Sequence, residues 1–483
     1  MRRNTTVALV SLGLLLGTTG CDAFLTGTKL SENPNQPTAA AIQPLFVGVQ
    51  AGQFTFQEAT ASMMTCMWVQ ACGATNGRFV EQAGHYVFGE TSNTGANFGD
   101  WLQVYGGGGL VDIRRVKALA RAAGDSTWLG IAKVWEALTI GTASDLWGDI
   151  PYSQVDTSAT NPPLDDRFAI LSALQTLLDE AIAELAGGTG AGPGIRDLIF
   201  NPLGDQTAAG QRAKWIRAAW TLKARYFMHT AESLGVPAYS AAIAAATNGI
   251  NDASGNGDFR SFHTKVTAER NMWNQFQTTS GFGADLEAGR FLADYMNARN
   301  DPRRAAYFCL NALGGYGGDD FNVVVNADSV SNFACLPSRF GPDARIPYVS
   351  YAENELILAE AYAATGDTAS ARSHLNAELA TVPLAAVASG LSATALRDTI
   401  MMEKYVVLFQ NIETINDYRR TCIPAITPAG NAQGFTHVPG RLFYPQAERN
   451  ANTNIPDPST QLATHGFRNK GDVHACQGSD ALP

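Results

Sequence analysis

The residues of this 483-residue chain whose types could do chemistry are two adjacent acid pairs, seven histidines and seven cysteines. Asp165-Asp166 and Asp319-Asp320 have the residue types of a glycosidase acid/base pair, but sequence alone gives no separation between carboxylates. The first pair stands directly before an apolar-periodic run, where it is expected to cap a helix. The histidines (His85, His229, His263, His374, His437, His465 and His474) fall at no metal-ligand spacing; His229 and His374, in helical stretches, are expected to be packing or surface residues. No His-Glu-x-x-His, Gly-x-Ser-x-Gly or Walker loop occurs. The glycine run at 106–109 lacks a following Lys-Ser/Thr and reads as a turn. Asp252, Ser254, Asn256 and Gly257 fit the opening of an EF-hand loop, but its twelfth position, which needs a bidentate Glu, is His263. No catalytic residue, metal or cofactor is expected.

The cysteines point to export. Arg2 and Arg3 precede an apolar run at 7–16, too short to span a bilayer, and small residues then lead to Cys21. This resembles the lipobox of bacterial lipoproteins, with Thr18 where Leu is preferred; an ordinary secretory peptide is the alternative. The expected division is a lipoprotein signal peptide at 1–20, a tether at 21–38 and a ligand-binding domain at 39–483, with Cys21 lipidated. Six cysteines remain, an even number, and no Cys-x-x-Cys pair suggests zinc. Nearness in sequence favours disulfides Cys66–Cys72, Cys309–Cys335 and Cys422–Cys476.

Binding chemistry is easier to find than catalysis. Aromatic rings stack on sugar faces while amides and guanidinium groups satisfy hydroxyls. Two loop regions offer both, Asn76, Arg78, Phe79 and Tyr86, then Trp273, Asn274, Phe282 and Tyr316. Asn76, Arg78, Tyr86, Trp273, Phe282 and Tyr316 are taken as ligand contacts. With 16% charged residues, a net charge of −10 and no basic block, nucleic acid is not an expected partner.

These loops need a scaffold, and its pattern is helical. Trp128, Ile131, Trp135, Leu138 and Thr142 recur at helical steps, as do Phe168, Leu171, Leu174, Leu178, Ile182 and Leu185. Ile216, Trp220, Phe227 and Ala231 mark a third helix, and Thr38 is a plausible cap for a first one carrying Ile42, Phe46 and Val49. The stretches 346–365 and 369–379 read as a helix pair, with 395–412 following. Gly366-Asp367 makes a turn between small-residue faces, the packing logic of a tetratricopeptide repeat. Degenerate repeats are suspected at 126–146, 168–186 and 211–234. The fold class is mainly α: tetratricopeptide-like helical pairs with large irregular, loop-rich insertions at 186–210, 248–282, 311–345 and 423–483.

Several segments together resemble the SusD/RagB family of outer-membrane nutrient-binding lipoproteins. Cys21-Asp22-Ala-Phe24-Leu25 and Asn33-Pro34-Asn35-Gln36-Pro37-Thr38 are similar to its opening. Asp145-Leu146-Trp147-Gly148-Asp149-Ile150-Pro151-Tyr152 matches its hallmark run. Asp301-Pro302-Arg303, the segment 351–366, and Glu403, Phe409, Asp417 and Arg420 resemble later segments, with Lys404 where Arg is usual. Arg441-Leu442-Phe443-Tyr444-Pro445-Gln446 and Glu448 resemble its ending. The resemblance implies a non-enzymatic, lipid-anchored cell-surface protein of the bacterial outer membrane that delivers a nutrient, an oligosaccharide or a peptide, to a SusC-like TonB-dependent transporter. Rival readings are an all-α glycoside hydrolase and a tetratricopeptide-type protein-interaction scaffold.

Overall fold

The long helices open on caps that the sequence supplies. Asp125 accepts the amide of Trp128, Asp166 those of Phe168 and Ala169, and Thr207 that of Gly210. Ser350, Asp367 and Ser392 do the same for Glu353, Ser370 and Ala395. Each side-chain oxygen satisfies an amide that the first helical turn leaves without a partner. The expectation for Asp165-Asp166 therefore holds: Asp166 caps its helix, and Asp165 accepts the backbone amides of Tyr152 and Ser153.

The computed structural model describes residues 41–472 apart from 76, 92–98, 157–159, 206, 279–285, 336, 429–436 and 464–467. The chain divides into two units, Met1–Leu45 and Phe46–Pro483, and apart from the helical residues 42–45 the second carries everything described below. The helices of nine or more residues are α1 Ile42–Glu58, α2 Thr60–Trp68, α3 Leu110–Ala122, α4 Ser126–Trp147, α5 Arg167–Gly187, α6 Ala208–Leu234, α7 Val236–Ala246, α8 Arg290–Ala298, α9 Tyr351–Ala364, α10 Thr368–Leu379, α11 Ala393–Val407 and α12 Glu413–Thr421. The expected cap Thr38 lies outside the described residues.

Helix α4 is the axis of the fold. Every residue from Thr127 to Trp147 is buried, because α3, α5 and α6 pack around it. The pairs α6–α7 and α9–α10 extend the array. Ala224 and Met228 of α6, Ala242 and Ala245 of α7, and Ile357 and Ala361 of α9 share one core cluster. On the other side of α9, Leu356 and Ala359 meet Ala371 and Leu375 of α10 and Leu396 and Ile400 of α11. The α9–α10 turn needs Gly366 at φ +91°, where a side chain is strained. The mainly α architecture is the observed one, and the stretches 126–146, 168–186 and 211–234, where degenerate repeats are suspected, are helical.

Two boundaries differ from expectation. Residues 346–365 are not one helix: β4, Pro347–Val349, precedes α9, because Val349 pairs with Phe259 of β2, Phe259–Arg260, and Ser350 then caps the helix. The stretch 395–412 breaks after Val407, where Leu408–412 turn and Gln410 takes φ +72°, so that α12 can start at Glu413. A second antiparallel pair joins β1, Cys72–Ala74, to β3, Leu286–Ala288.

Candidate ligand-binding site

The β1–β3 pair brings segments over 200 residues apart to one place. Cys72 faces Ala288 and Ala74 faces Leu286. The disulfide Cys66–Cys72 closes the turn between α2 and β1, and within it Gln70 sits at φ +56°. A third segment joins when Asp319 donates its amide to Ala288 (2.8 Å) and accepts that of Arg290 (2.9 Å). This approach requires Gly73, since a Cβ there would lie 2.5 Å from that of Asp319. Helix α8 begins directly after β3, so Arg290, Phe291, Asp294 and Tyr295 fall on one face.

These elements enclose a cleft of about 470 Å³ lined by Gln70, Arg290, Phe291, Asp294, Tyr295, Asp319, Asp320, Phe321, Asn322, Ala425 and Thr427. Phe291, Tyr295 and Phe321 are half-buried rings, each held from behind. Phe291 meets Tyr405 edge-on at 5.9 Å, Tyr295 stacks under the Arg299 guanidinium at 4.9 Å, and Phe321 contacts His85. The cleft is acidic. Arg290 reaches Asp294 (3.4 Å) and Asp320 (3.5 Å) in solvent-exposed pairs that contribute little to stability. Burial raises the pKa of Asp319, helped by Asp320, and pushes neighbouring Glu287 up to about 7, helped by Asp319. Ring faces, carboxylates and amides around one space suit a polyhydroxylated ligand with apolar faces.

Away from the cleft, the chemistry-like groups are structural. His229 lies between Asp145 (3.2 Å) and Glu413 (2.8 Å), all three buried. Their ligand atoms are close enough together to hold a cation. Yet Arg167 already pairs with Asp145 (2.9 Å), Arg225 approaches Glu413 (3.6 Å), and Asn416 bonds both carboxylates. Burial lowers the pKa of His229, but the two carboxylates outweigh it and raise it to about 9, so it bridges them as an imidazolium. His229 is thus neither simple packing nor surface; it bridges two acids. His374, by contrast, stacks on Tyr362 at the half-exposed surface of α10.

The hallmark run is tied to the same network. Asp145 also accepts, through its backbone carbonyl, from Arg419 (2.7 Å) and Asn469 (2.6 Å). Trp147 is fully buried and donates to the carbonyl of Phe443 (3.1 Å), Leu442 donates to the carbonyl of Leu146 (2.6 Å), and Tyr444 bonds the carbonyl of Asp149. The turn ending α4 and the closing segment are halves of one packed unit.

A family model described as starch-binding, associating with the outer membrane, matches residues 34–445. The chain belongs to the SusD-like family. Solved structures of similar fold include a chitin-binding SusD homologue from Flavobacterium johnsoniae, 17% identical with a TM-score of 0.70, over 90% of this chain and 99% of that one. A SusD-like protein from Bacteroides thetaiotaomicron VPI-5482 is 18% identical with a TM-score of 0.70, over 89% and 97%. A SusD homologue from Bacteroides ovatus ATCC 8483 is 18% identical with a TM-score of 0.70, over 90% and 99%. No curated protein matches the sequence.

In this SusD-like chain the expected contact residues meet different fates. Trp273 is fully buried in an aromatic cluster with Phe340 (5.7 Å) and Phe409 (6.3 Å), and Tyr86 is 1% exposed. The expectation that both are exposed stacking rings is corrected: Trp273 lies on the inner face of the short helix Met272–Thr278, and the Tyr86 ring is packed into the core. Tyr316 is half-buried with the Arg304 guanidinium 5.5 Å over its ring. Asn76, Phe282 and the side chain of Arg78 lie outside the described residues. The two loop regions do converge, through β1–β3 and through His85 against Phe321, but the rings lining the cleft are Phe291, Tyr295 and Phe321. The spacing of Arg290, Phe291, Asp294 and Tyr295 on a short helix was the signal that could have found them. The disulfides Cys66–Cys72 and Cys309–Cys335 are formed as expected. Cys422 is disulfide-bonded, and its expected partner Cys476 lies outside the described residues. Among the described residues no helix is long and apolar enough to cross a membrane.

Proposed function

We propose that this SusD-like protein is a surface lipoprotein, anchored through Cys21, that binds an oligosaccharide in the Phe291–Phe321 cleft and passes it to a SusC-like TonB-dependent transporter. The observation that carries the reading is the cleft, where three half-buried rings and five polar side-chain types meet in about 470 Å³. It is walled mainly by loops, whereas a tetratricopeptide-type scaffold would offer a groove between helices. The family's description, starch-binding and associating with the outer membrane, agrees with the ligand class and the location. Under this reading 1–20 is the signal peptide, 21–38 the tether and 39–483 the binding domain, with Asn76, Arg78, Phe282 and Tyr316 extending the contact surface.

The excess of carboxylates (Asp294, Asp319 and Asp320 against Arg290) favours one second ligand, a basic peptide. A glycan and peptide array probed with the mature chain decides between them: saturable glycan binding that Phe321→Ala weakens supports the proposal, and peptide binding alone replaces it. Steady release of product from a bound glycan returns the hydrolase reading. For the anchor, wild type is expected to partition with membranes and Cys21→Ala is not; equal partitioning refutes it. Co-purification with a TonB-dependent barrel from solubilised outer membranes tests the partner.

A further inference from the structure

A second pocket, sharing no residue with the cleft, lies between α1 and the segment following β2. Its volume is about 360 Å³, within the range of small-molecule sites. Val47 and Phe54 of α1, Leu198, Phe262 and Met272 form an apolar wall. All but Phe54 keep part of their surface exposed, which for five neighbouring apolar side chains leaves an uncovered concave patch.

The polar groups of this pocket are not equally available. His263 closes its floor, but Nε2 is engaged by Glu58 (2.9 Å) and Nδ1 lies 3.2 Å from the Glu269 carbonyl. Glu58 is itself fully buried and accepts from Tyr348 at 2.7 Å. That trio is a satisfied wall with no bond left for a ligand. At the lip the situation differs. Arg270 makes one long bond to the Lys265 carbonyl (3.5 Å) and no ion pair among the described residues. The adjacent Glu269 is exposed, and its carboxylate accepts only the Thr264 hydroxyl (2.6 Å). One guanidinium and one carboxylate, on adjacent residues, therefore line this pocket beside its apolar wall.

We infer that this pocket binds an apolar zwitterion, a hydrophobic α-amino acid, with its side chain among Phe54, Phe262 and Met272, its carboxylate on Arg270 and its ammonium on Glu269. The two charges are the complement of an α-amino acid's, and the five apolar side chains favour an apolar body over a sugar, although Thr55, Thr264 and Gln275 also line the pocket. The inference does not depend on the cleft or on its glycan.

L-Phenylalanine titrated calorimetrically into the full mature chain tests it, beside phenethylamine and 3-phenylpropanoate, which each lack one charge. Saturable one-to-one binding is expected, with both analogues at least tenfold weaker. Arg270→Gln and Glu269→Gln should each weaken the amino acid about tenfold. Ala51→Trp, at an exposed position of α1 facing the pocket, should abolish binding while leaving the thermal midpoint unchanged. If Ala51→Trp lowers the midpoint, the two charge variants decide. No saturable binding, analogues that bind as well as phenylalanine, or charge variants that bind like wild type would overturn the inference.

Discussion

Trp147 at the end of α4 donates its indole N–H to the carbonyl of Phe443, 296 residues later in the chain. Trp147 packs edge-on against Trp101 at 5.1 Å, and Trp101 meets Tyr444 the same way at 5.7 Å. The two most recognisable motifs of the sequence, 145–152 and 441–446, hold each other. Trp147→Ala is expected to cost about 3–5 kcal/mol of unfolding free energy by opening a cavity and orphaning a carbonyl. Urea unfolding measures it, and a loss under 1 kcal/mol would show that the contact is incidental.

The cleft and the core should respond differently to aromatic removal. Phe321→Ala should weaken an array-identified glycan roughly tenfold, ~1–2 kcal/mol, with little change in thermal midpoint. Trp273→Ala, deep against Phe340 and Phe409, should lower the midpoint first. Thermal melts beside titrations of the same samples separate the two; an unstable Phe321→Ala with intact affinity would place that ring in the scaffold.

His229 makes stability depend on alkaline pH. Its folded pKa, raised to about 9 by Asp145 and Glu413, exceeds the unfolded value near 6.5. The contribution is complete below about pH 6.5 and is lost as pH rises through 9, by on the order of 1–3 kcal/mol. Asp145, held below the usual carboxylate range by His229 and then Arg167 despite burial, works in the opposite sense: its contribution disappears as pH falls through its depressed pKa. Chemical denaturation between pH 5 and 10 should show a decline on the alkaline side that His229→Gln flattens.

Glu378 and Glu403 share a buried site with Arg299 and Arg303, yet should not be equally replaceable. Burial first, and then Glu403, push Glu378 up to about 9, so it is a neutral acid at pH 7. Its folded pKa lies above its unfolded one, so the folded state loses stability as pH rises from about 4.5 to 9. Glu378→Gln should match wild type near pH 4.5 and be more stable than it at pH 7, with the gap widening toward pH 9. Glu403→Gln strips the partner that Arg299 and Arg303 both reach at 2.6 Å and should cost about 3–5 kcal/mol. Equal losses in the two variants would refute this division.

The Cys309–Cys335 crosslink closes a 26-residue separation in an irregular segment. Replacing both cysteines by Ala should remove ~3 kcal/mol by freeing the unfolded chain, seen in urea unfolding. Peptide mapping without reduction should also recover Cys422 joined to Cys476; a free Cys476 would refute that pairing.

The sequence by itself determined the mainly helical pattern, the Asp166 cap, two disulfides and the family. Those features are local or covalent: Asp166 caps the turn beside it, and Cys66 lies six residues from Cys72. A periodic apolar face also states that a residue is buried, as for Trp135 and Leu174. Only the tertiary structure decided which loop residues are exposed, because a loop has no period to mark its inner face. Trp273 and Phe291 both belong to seven- to nine-residue helices in irregular surroundings, yet one is sealed beneath Phe340 and the other opens on the cleft. Charge pairing was equally invisible. His229, Asp145 and Glu413 are scattered over 268 positions, and only the docking of α12 against α4 and α6 turns three unremarkable residues into one buried ion bridge.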